Sequence, residues 1–335
     1  MTLPCRELDT PVVLLIFNRP DTTRHVFNAI RAARPRRLLV VADGPREDRD
    51  GEMELCREAR SIIEGIDWNC KLDTNYSDVN LGCMRRVSSG LDWVFQHVNE
   101  AIILEDDCLP HLSFFQFCQE LLERYRHEPR IAQICGSNFQ FGRRVNPYSY
   151  YFSRYNHVWG WASWKRAWDL NDNEMTAWPA FRDSGLLDNI FSDKREVDYW
   201  TDVMNRVYEG DIDTWDCRWA LSCWRNGLLS IIPSGNMISN IGFRPDATHT
   251  PVPNKYASMK TESMELPMMH PSKIVVDFEA DAYTGKNMFR EYSFIHRLVA
   301  VLQGNIPFKL PDNCSAAFEN TFSKKVSGLI YKLSL

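Results

Sequence analysis

No two glycines in the sequence stand closer together than Gly136 and Gly142. Loops that cradle a phosphate need closely spaced glycines, and neither a GxGxxG nor a GxxxxGK pattern is present. An ordinary Rossmann dehydrogenase, a glycine-loop methyltransferase and a P-loop NTPase are therefore set aside. CxxC is absent too: the ten cysteines scatter from Cys5 to Cys314, with Cys217 and Cys223 the nearest pair. That leaves no zinc knuckle and no thioredoxin-type motif, and predicts free thiols, mostly in the core, in a reducing cytoplasm. Long apolar runs are also missing. The longest, Val12 to Phe17, falls far short of a membrane span, and Met1 to Asp9 lacks the apolar centre of a signal peptide. There is no excess of positive charge: 39 Lys+Arg face 44 Asp+Glu, a net charge of −5. No global field holds nucleic acid, so an anionic ligand must be met by local arginines or a metal.

What is present is a globular composition of 335 residues, 44% apolar and 12% aromatic, enough for one large α/β domain or two ordinary ones. Val12–Phe17 reads as a strand buried on both faces, followed by a helix behind Asp21 as N-cap, with Thr22, Val26, Ile30 and Ala33 on one face until Pro35. A second buried strand, Leu38–Ala42, completes a parallel βαβ unit. Met84, Val87, Leu91, Val94 and Val98 mark another helix, which leads into the strand Ala101–Leu104. Phe114, Phe117, Leu121 and Tyr125 mark a further helix before the strand Ile131–Cys135. The second half is less regular and rich in tryptophan. Residues 245–271 read as a long loop, and an amphipathic helix is expected around Phe294–Leu302.

Glu105-Asp106-Asp107 directly follows an apolar strand, so three carboxylates leave the sheet at one point, where their repulsion favours a counter-ion such as Mn²⁺ or Mg²⁺. A solvated acidic loop is the alternative. Asp216, between Trp215 and Trp219 at the start of a helix, is placed either to take a proton or to cap that helix.

The order Phe17-Asn18-Arg19-Pro20, Val41-Ala42-Asp43-Gly44, Asn80-Leu81-Gly82 and Ile103-Leu104-Glu105-Asp106-Asp107 resembles the nucleotide-sugar-binding half of GT-A fold glycosyltransferases. The likeness is to the N-acetylglucosaminyltransferase I type, and it continues through Val158-Trp159-Gly160-Trp161 and Thr214-Trp215-Asp216-Cys217-Arg218-Trp219, covering about residues 10 to 250. It implies a mixed sheet flanked by helices, with a GT-A domain over 1–250 (a nucleotide-sugar half 10–140, an acceptor half 141–250) and an extension over 251–335. It further implies a metal-dependent, inverting transfer of a sugar from a UDP-sugar to a glycan or lipid-linked acceptor, in surface polysaccharide assembly. In that reading Asp43 contacts the uracil, and Arg19 and Asn80 contact the donor. Asp107 binds the metal, with Asp106 beside it touching metal shell or ribose. Gly160, Trp161 and Trp215 line the sugar sites, Asp216 is the base, and His249 is an extra metal ligand. A sugar-nucleotide pyrophosphorylase-like enzyme and a non-catalytic carbohydrate-binding protein are the rivals. The tail Phe318–Leu335 sets Lys324, Lys325 and Lys332 among apolar residues, either as a docked helix or as a peripheral membrane contact at the inner face.

Overall fold

The computed structural model describes residues 8–244 and 254–289. The expected helix at Phe294–Leu302, the tail Phe318–Leu335 and His249 lie outside the described residues. Ten strands are described: β1 (Val12–Ile16), β2 (Arg37–Ala42), β3 (Lys71–Tyr76), β4 (Glu100–Glu105), β5 (Cys108–Pro110), β6 (Ile131–Cys135), β7 (Tyr150–Ser153), β8 (Trp161–Trp164), β9 (Leu229–Pro233) and β10 (Ile238–Asn240). The helices between and after them are α1 (Pro20–Ala33), α2 (Glu52–Ser61), α3 (Gly82–His97), α4 (Ser113–Arg124), α5 (Lys165–Trp168), α6 (Trp178–Asp183), α7 (Leu186–Ile190), α8 (Lys194–Glu209), α9 (Asp216–Arg225) and α10 (Phe278–Met288).

Eight strands form one mixed sheet in the order β3-β2-β1-β4-β8-β6-β9-β7, and β5 pairs with β10 in a separate antiparallel ribbon. β3, β2, β1 and β4 are mutually parallel, whereas β8 runs antiparallel to both its neighbours. This is the mixed α/β sheet flanked by helices that the sequence led one to expect. Side chains alternate across β1: Val12, Leu14 and Ile16 join the core under α1 and α4, while Val13 and Leu15 join the core under α3 and α9. Both faces are covered, and that is why the run is apolar throughout.

Two local readings need correction. Asp21 does not cap α1; the helix starts two residues earlier than that cap would give, with Pro20 at its first position and Arg19 as N-cap. Proline there loses no intrahelical hydrogen bond and has the right φ in advance. Nor is Asp216 the N-cap of α9, which is Trp215.

The tryptophans are predominantly core. Trp161 stacks on Trp215 at 5.6 Å and touches Trp168 and Trp219; all four are 3% exposed or less. Arg166 binds the carbonyls of Tyr125, Arg126 and Ile131 while its guanidinium lies over the Trp164 ring, closing the end of α4. All eight described cysteines are free, five of them buried. No helix among the described residues is long and apolar enough to cross a membrane.

His157 is buried beside Phe139 and Tyr155, and burial pushes its pKa down to about 3. Below its ordinary pKa of about 6.5, only the unfolded chain takes up the proton, so this residue removes stability as the pH falls from there toward 3. The expected slope is about 1.4 kcal/mol per pH unit. Urea unfolding of wild type and His157→Phe across that range checks it: parallel stability–pH curves would contradict the assignment.

Candidate functional site

β1 and β4 are neighbours although β2 and β3 lie between them in the chain, so the strand order reverses at β1. A parallel α/β sheet leaves a crevice at the carboxyl ends of its strands there. A cavity of about 340 Å³ occupies it, lined by the ends of β1, β2 and β4, the start of α3, Trp159, Asp213 and Asn240. Arg19, Asp43, Asn80, Asp106 and Asp107, five of the residues singled out by sequence, meet in this lining.

The acidic corner is built on β4. Glu105 ends the strand, and Asp106 and Asp107 form the turn into β5. The Phe17 N–H donates to Asp106 Oδ2 at 3.2 Å. Arg19 Nη1 lies 2.9 Å from Asp107 Oδ2 and 3.9 Å from Asp106 Oδ1. The Arg19 guanidinium thus faces two carboxylates, with Glu105 beside them in the lining. Burial, and then the Asp107 charge, push the Asp106 carboxyl well up, with Arg19 opposing. Burial likewise raises Glu105, followed by the charges of Asp107, Asp106 and Asp216. Asp216, the first residue of α9, is not part of the cavity lining. Its Oδ1 accepts from the Thr214 hydroxyl and from the Cys217 N–H at 2.8 Å.

A hard divalent cation fits this chemistry: the donors are oxygens, and added positive charge would relieve a repulsion that burial makes costly. Among the described residues no three His, Cys, Asp or Glu side chains form a ready-made metal cage. The chain would thus supply one or two carboxylates, Asp107 foremost, and a ligand's oxygens would supply the rest.

Asp43 is held from four directions. Its Oδ1 accepts from the N–H groups of Gly44 and Leu81, each at 2.9 Å, and its Oδ2 from Asn80 Nδ2 at 3.1 Å and the Gly82 N–H at 3.2 Å. A carboxylate has about four lone-pair sites, so a base reaching Asp43 must share or displace one of these bonds. Burial raises the proton affinity of Asp43, while the backbone donors lower it. Asp43 and Asn80 together fold residues 80–82 into the cavity wall.

Three sugar-site expectations are corrected. Trp161 and Trp215 are core residues, 0% and 3% exposed, and present no face to a sugar; Trp159, half-buried, is the tryptophan that lines the cavity. Gly160 has φ +58, and a Cβ there would lie 2.4 Å from Ile238 Cδ1. Its missing side chain makes room for Ile238 and lets the backbone take the positive φ of the turn.

The roles of several other residues were not legible in the sequence. Asp213, from the segment before α9, accepts from the Cys83 and Met84 N–H groups and so caps α3 across 130 residues of chain. Buried Glu52 binds Asn18 Nδ2 at 2.8 Å and the Arg46 N–H at 2.6 Å, tying the loop after β1 to the loop after β2. Arg60 Nη2 holds the Asp43 and Ser77 carbonyls from outside. Each sits in a charged or loop stretch without periodicity, and only the fold supplies its partner.

No protein-family model matches the chain, and no curated protein matches it. Solved structures similar to it include mannosyltransferase PcManGT from Pyrobaculum calidifontis in complex with GDP-Man and Mn2+, at 14% identity over 46% of this chain and 44% of that one, TM-score 0.31. Another is 4-diphosphocytidyl-2C-methyl-D-erythritolsynthase from Anaerococcus prevotii, at 8% identity over 49% of this chain and 75% of that one, TM-score 0.29. The match spans less than half of the mannosyltransferase. Neither of the two is of the N-acetylglucosaminyltransferase I type. At these TM-scores neither similarity carries the functional reading, which rests on the site's own geometry.

Proposed function

We propose that the chain is a metal-dependent, inverting glycosyltransferase that moves a sugar from a UDP-sugar to a hydroxyl of a glycan or lipid-linked acceptor. The observation that carries the reading is the acidic corner: three carboxylates and one arginine meet in a cavity at the sheet's topological switch point, where a diphosphate would bring the missing ligands for a cation. A bound Mn²⁺ or Mg²⁺ would supply charge stabilisation for a departing nucleoside diphosphate. Asp107 would hold it, with Asp106 beside it. Arg19 is placed to turn from Asp107 toward diphosphate oxygens, which accept a guanidinium fork. Asp216 would take the proton from the acceptor hydroxyl as that oxygen bonds to the anomeric carbon and the bond to the diphosphate oxygen breaks; UDP departs with the electron pair. Trp159, in the cavity lining, is the tryptophan available to a sugar. His249 as a further ligand remains part of this proposal on sequence grounds alone.

The test is a panel of UDP-, GDP- and CMP-sugars, screened with and without Mn²⁺ for thermal stabilisation and donor hydrolysis. Metal-dependent stabilisation by UDP-sugars is expected. No response to any nucleotide, with binding of free glycans instead, would replace the enzyme by a carbohydrate-binding protein.

Asp43→Asn probes the nucleotide wall. The amide turns one acceptor into a donor facing the Asn80 amide and the Gly82 N–H. Stability should drop by about 2 kcal/mol. Affinity for UDP and for UDP-sugars should fall together, about tenfold. Calorimetry on the folded variant that returned wild-type UDP affinity would remove Asp43 from the site.

A further inference from the structure

We infer that residues 240–244 form a strap that fixes the orientation of Asp107, with Gly242 as its positioning residue; the inference rests on the metal-binding reading of Asp107 given above. The strap begins on β10, where Asn240 pairs with Cys108, the residue after Asp107. Asn240 is 4% exposed, and its Oδ1 accepts from the Gly242 N–H at 2.9 Å, which turns the chain. The Ile241 N–H donates to the Asp107 carbonyl at 2.9 Å. At the far end, Arg244 Nη1 pairs with Asp21 Oδ2 at 2.6 Å, in the first turn of α1. The strap therefore crosses from the ribbon over the acidic corner to the helix that follows Arg19.

Gly242 is the point of closest approach. A Cβ at this position would stand 2.0 Å from Asp107 Oδ2, 2.7 Å from its Cγ and 2.8 Å from its Cβ. Rotating the carboxylate would not relieve a clash that includes Cβ and Cγ; strap and aspartate would have to separate. The same oxygen also lies 2.9 Å from Arg19 Nη1, and Oδ1 accepts from Cys108 Sγ at 3.4 Å. Asp107 is thus clamped between a guanidinium and a backbone, and glycine is needed at 242 for space. Ligand carboxylates bind metal well when their orientation is set in advance by such surroundings.

The experiment uses the full chain and titrates UDP by calorimetry, once with MnCl₂ and once with EDTA. Gly242→Ala is expected to weaken Mn²⁺-dependent UDP binding by about 10- to 100-fold, the usual effect of losing a group that orients a ligand. UDP affinity in EDTA should stay unchanged, a split that a merely structural role would not produce. In an Asp107→Asn background the same substitution should cost nothing more, because the group it displaces is no longer a ligand. Asn240→Ala loosens the strap without a clash and should cause a smaller loss in the same direction; it decides the matter if Gly242→Ala does not fold. Wild-type metal-linked affinity in the folded variants, or an equal further loss in the Asp107→Asn background, overturns the strap alone. A wild-type protein whose UDP affinity ignores Mn²⁺ overturns the Asp107 reading and the strap with it.

Discussion

Asp107→Asn should abolish the Mn²⁺-dependent gain in UDP affinity while leaving the protein folded. The carboxylate is partly accessible, with 14% side-chain exposure, and lies in the lining of the cavity. An amide of the same shape keeps contacts with Gly242 and Cys108 but removes one of three crowded negative charges. Stability should therefore change little: the lost Arg19 pair is offset by relief of the repulsion that raises Asp106 and Glu105. Metal affinity has no such offset, because a neutral amide oxygen is a far weaker partner for a hard divalent ion. A loss of at least about 100-fold in the metal-linked affinity is expected, with calorimetry in MnCl₂ and in EDTA converging on one value. Persisting enhancement by Mn²⁺ would move the cation away from the acidic corner and take the donor-site assignment with it.

The parts of the fold that were legible in the sequence are those whose burial is written locally. Val12–Ile16, Leu38–Ala42, Ala101–Leu104 and, but for the buried Gln133, Ile131–Cys135 are apolar because both faces of the sheet are covered, and each became a strand. β3, reading Lys-Leu-Asp-Thr-Asn-Tyr, sits at the open edge and is largely exposed, so it carries neither an apolar run nor a clean alternation. The chemistry divides in the same way. Carboxylates at a strand end were visible, since β4 itself delivers Glu105, Asp106 and Asp107 to the switch point. The cap that Asp213 gives α3, the tie that Glu52 makes between two loops and the contact of Gly242 with Asp107 join segments far apart in sequence. Crowded tryptophans suggested sugar platforms, yet the large ring that suits a sugar face also fills a core. The mutual stacking of Trp161, Trp168, Trp215 and Trp219 shows that here the core took them.

Asp216→Asn should lower turnover by about 10²–10⁴, the usual contribution of a general base, while UDP-sugar affinity changes little. A sugar hydroxyl is too weakly acidic near neutral pH to attack unaided, and inversion requires one base on the acceptor side and no protein nucleophile. Asp216 is assigned that duty by the sequence resemblance; it opens α9, and its Oδ1 is held by Thr214 and Cys217. The amide keeps size and hydrogen bonding at Oδ1 but cannot accept the acceptor's proton. The fall should therefore appear in kcat, with the unfolding midpoint almost unmoved. From an α-linked UDP-sugar the product should be β-linked, read from the anomeric coupling constant by NMR. Near-normal turnover in the variant, or an α-linked product, would reduce Asp216 to a residue that steadies the start of α9. Of the neighbouring carboxylates, Asp213 is already committed to the N-terminus of α3, and the base would then be sought first at the exposed Asp211.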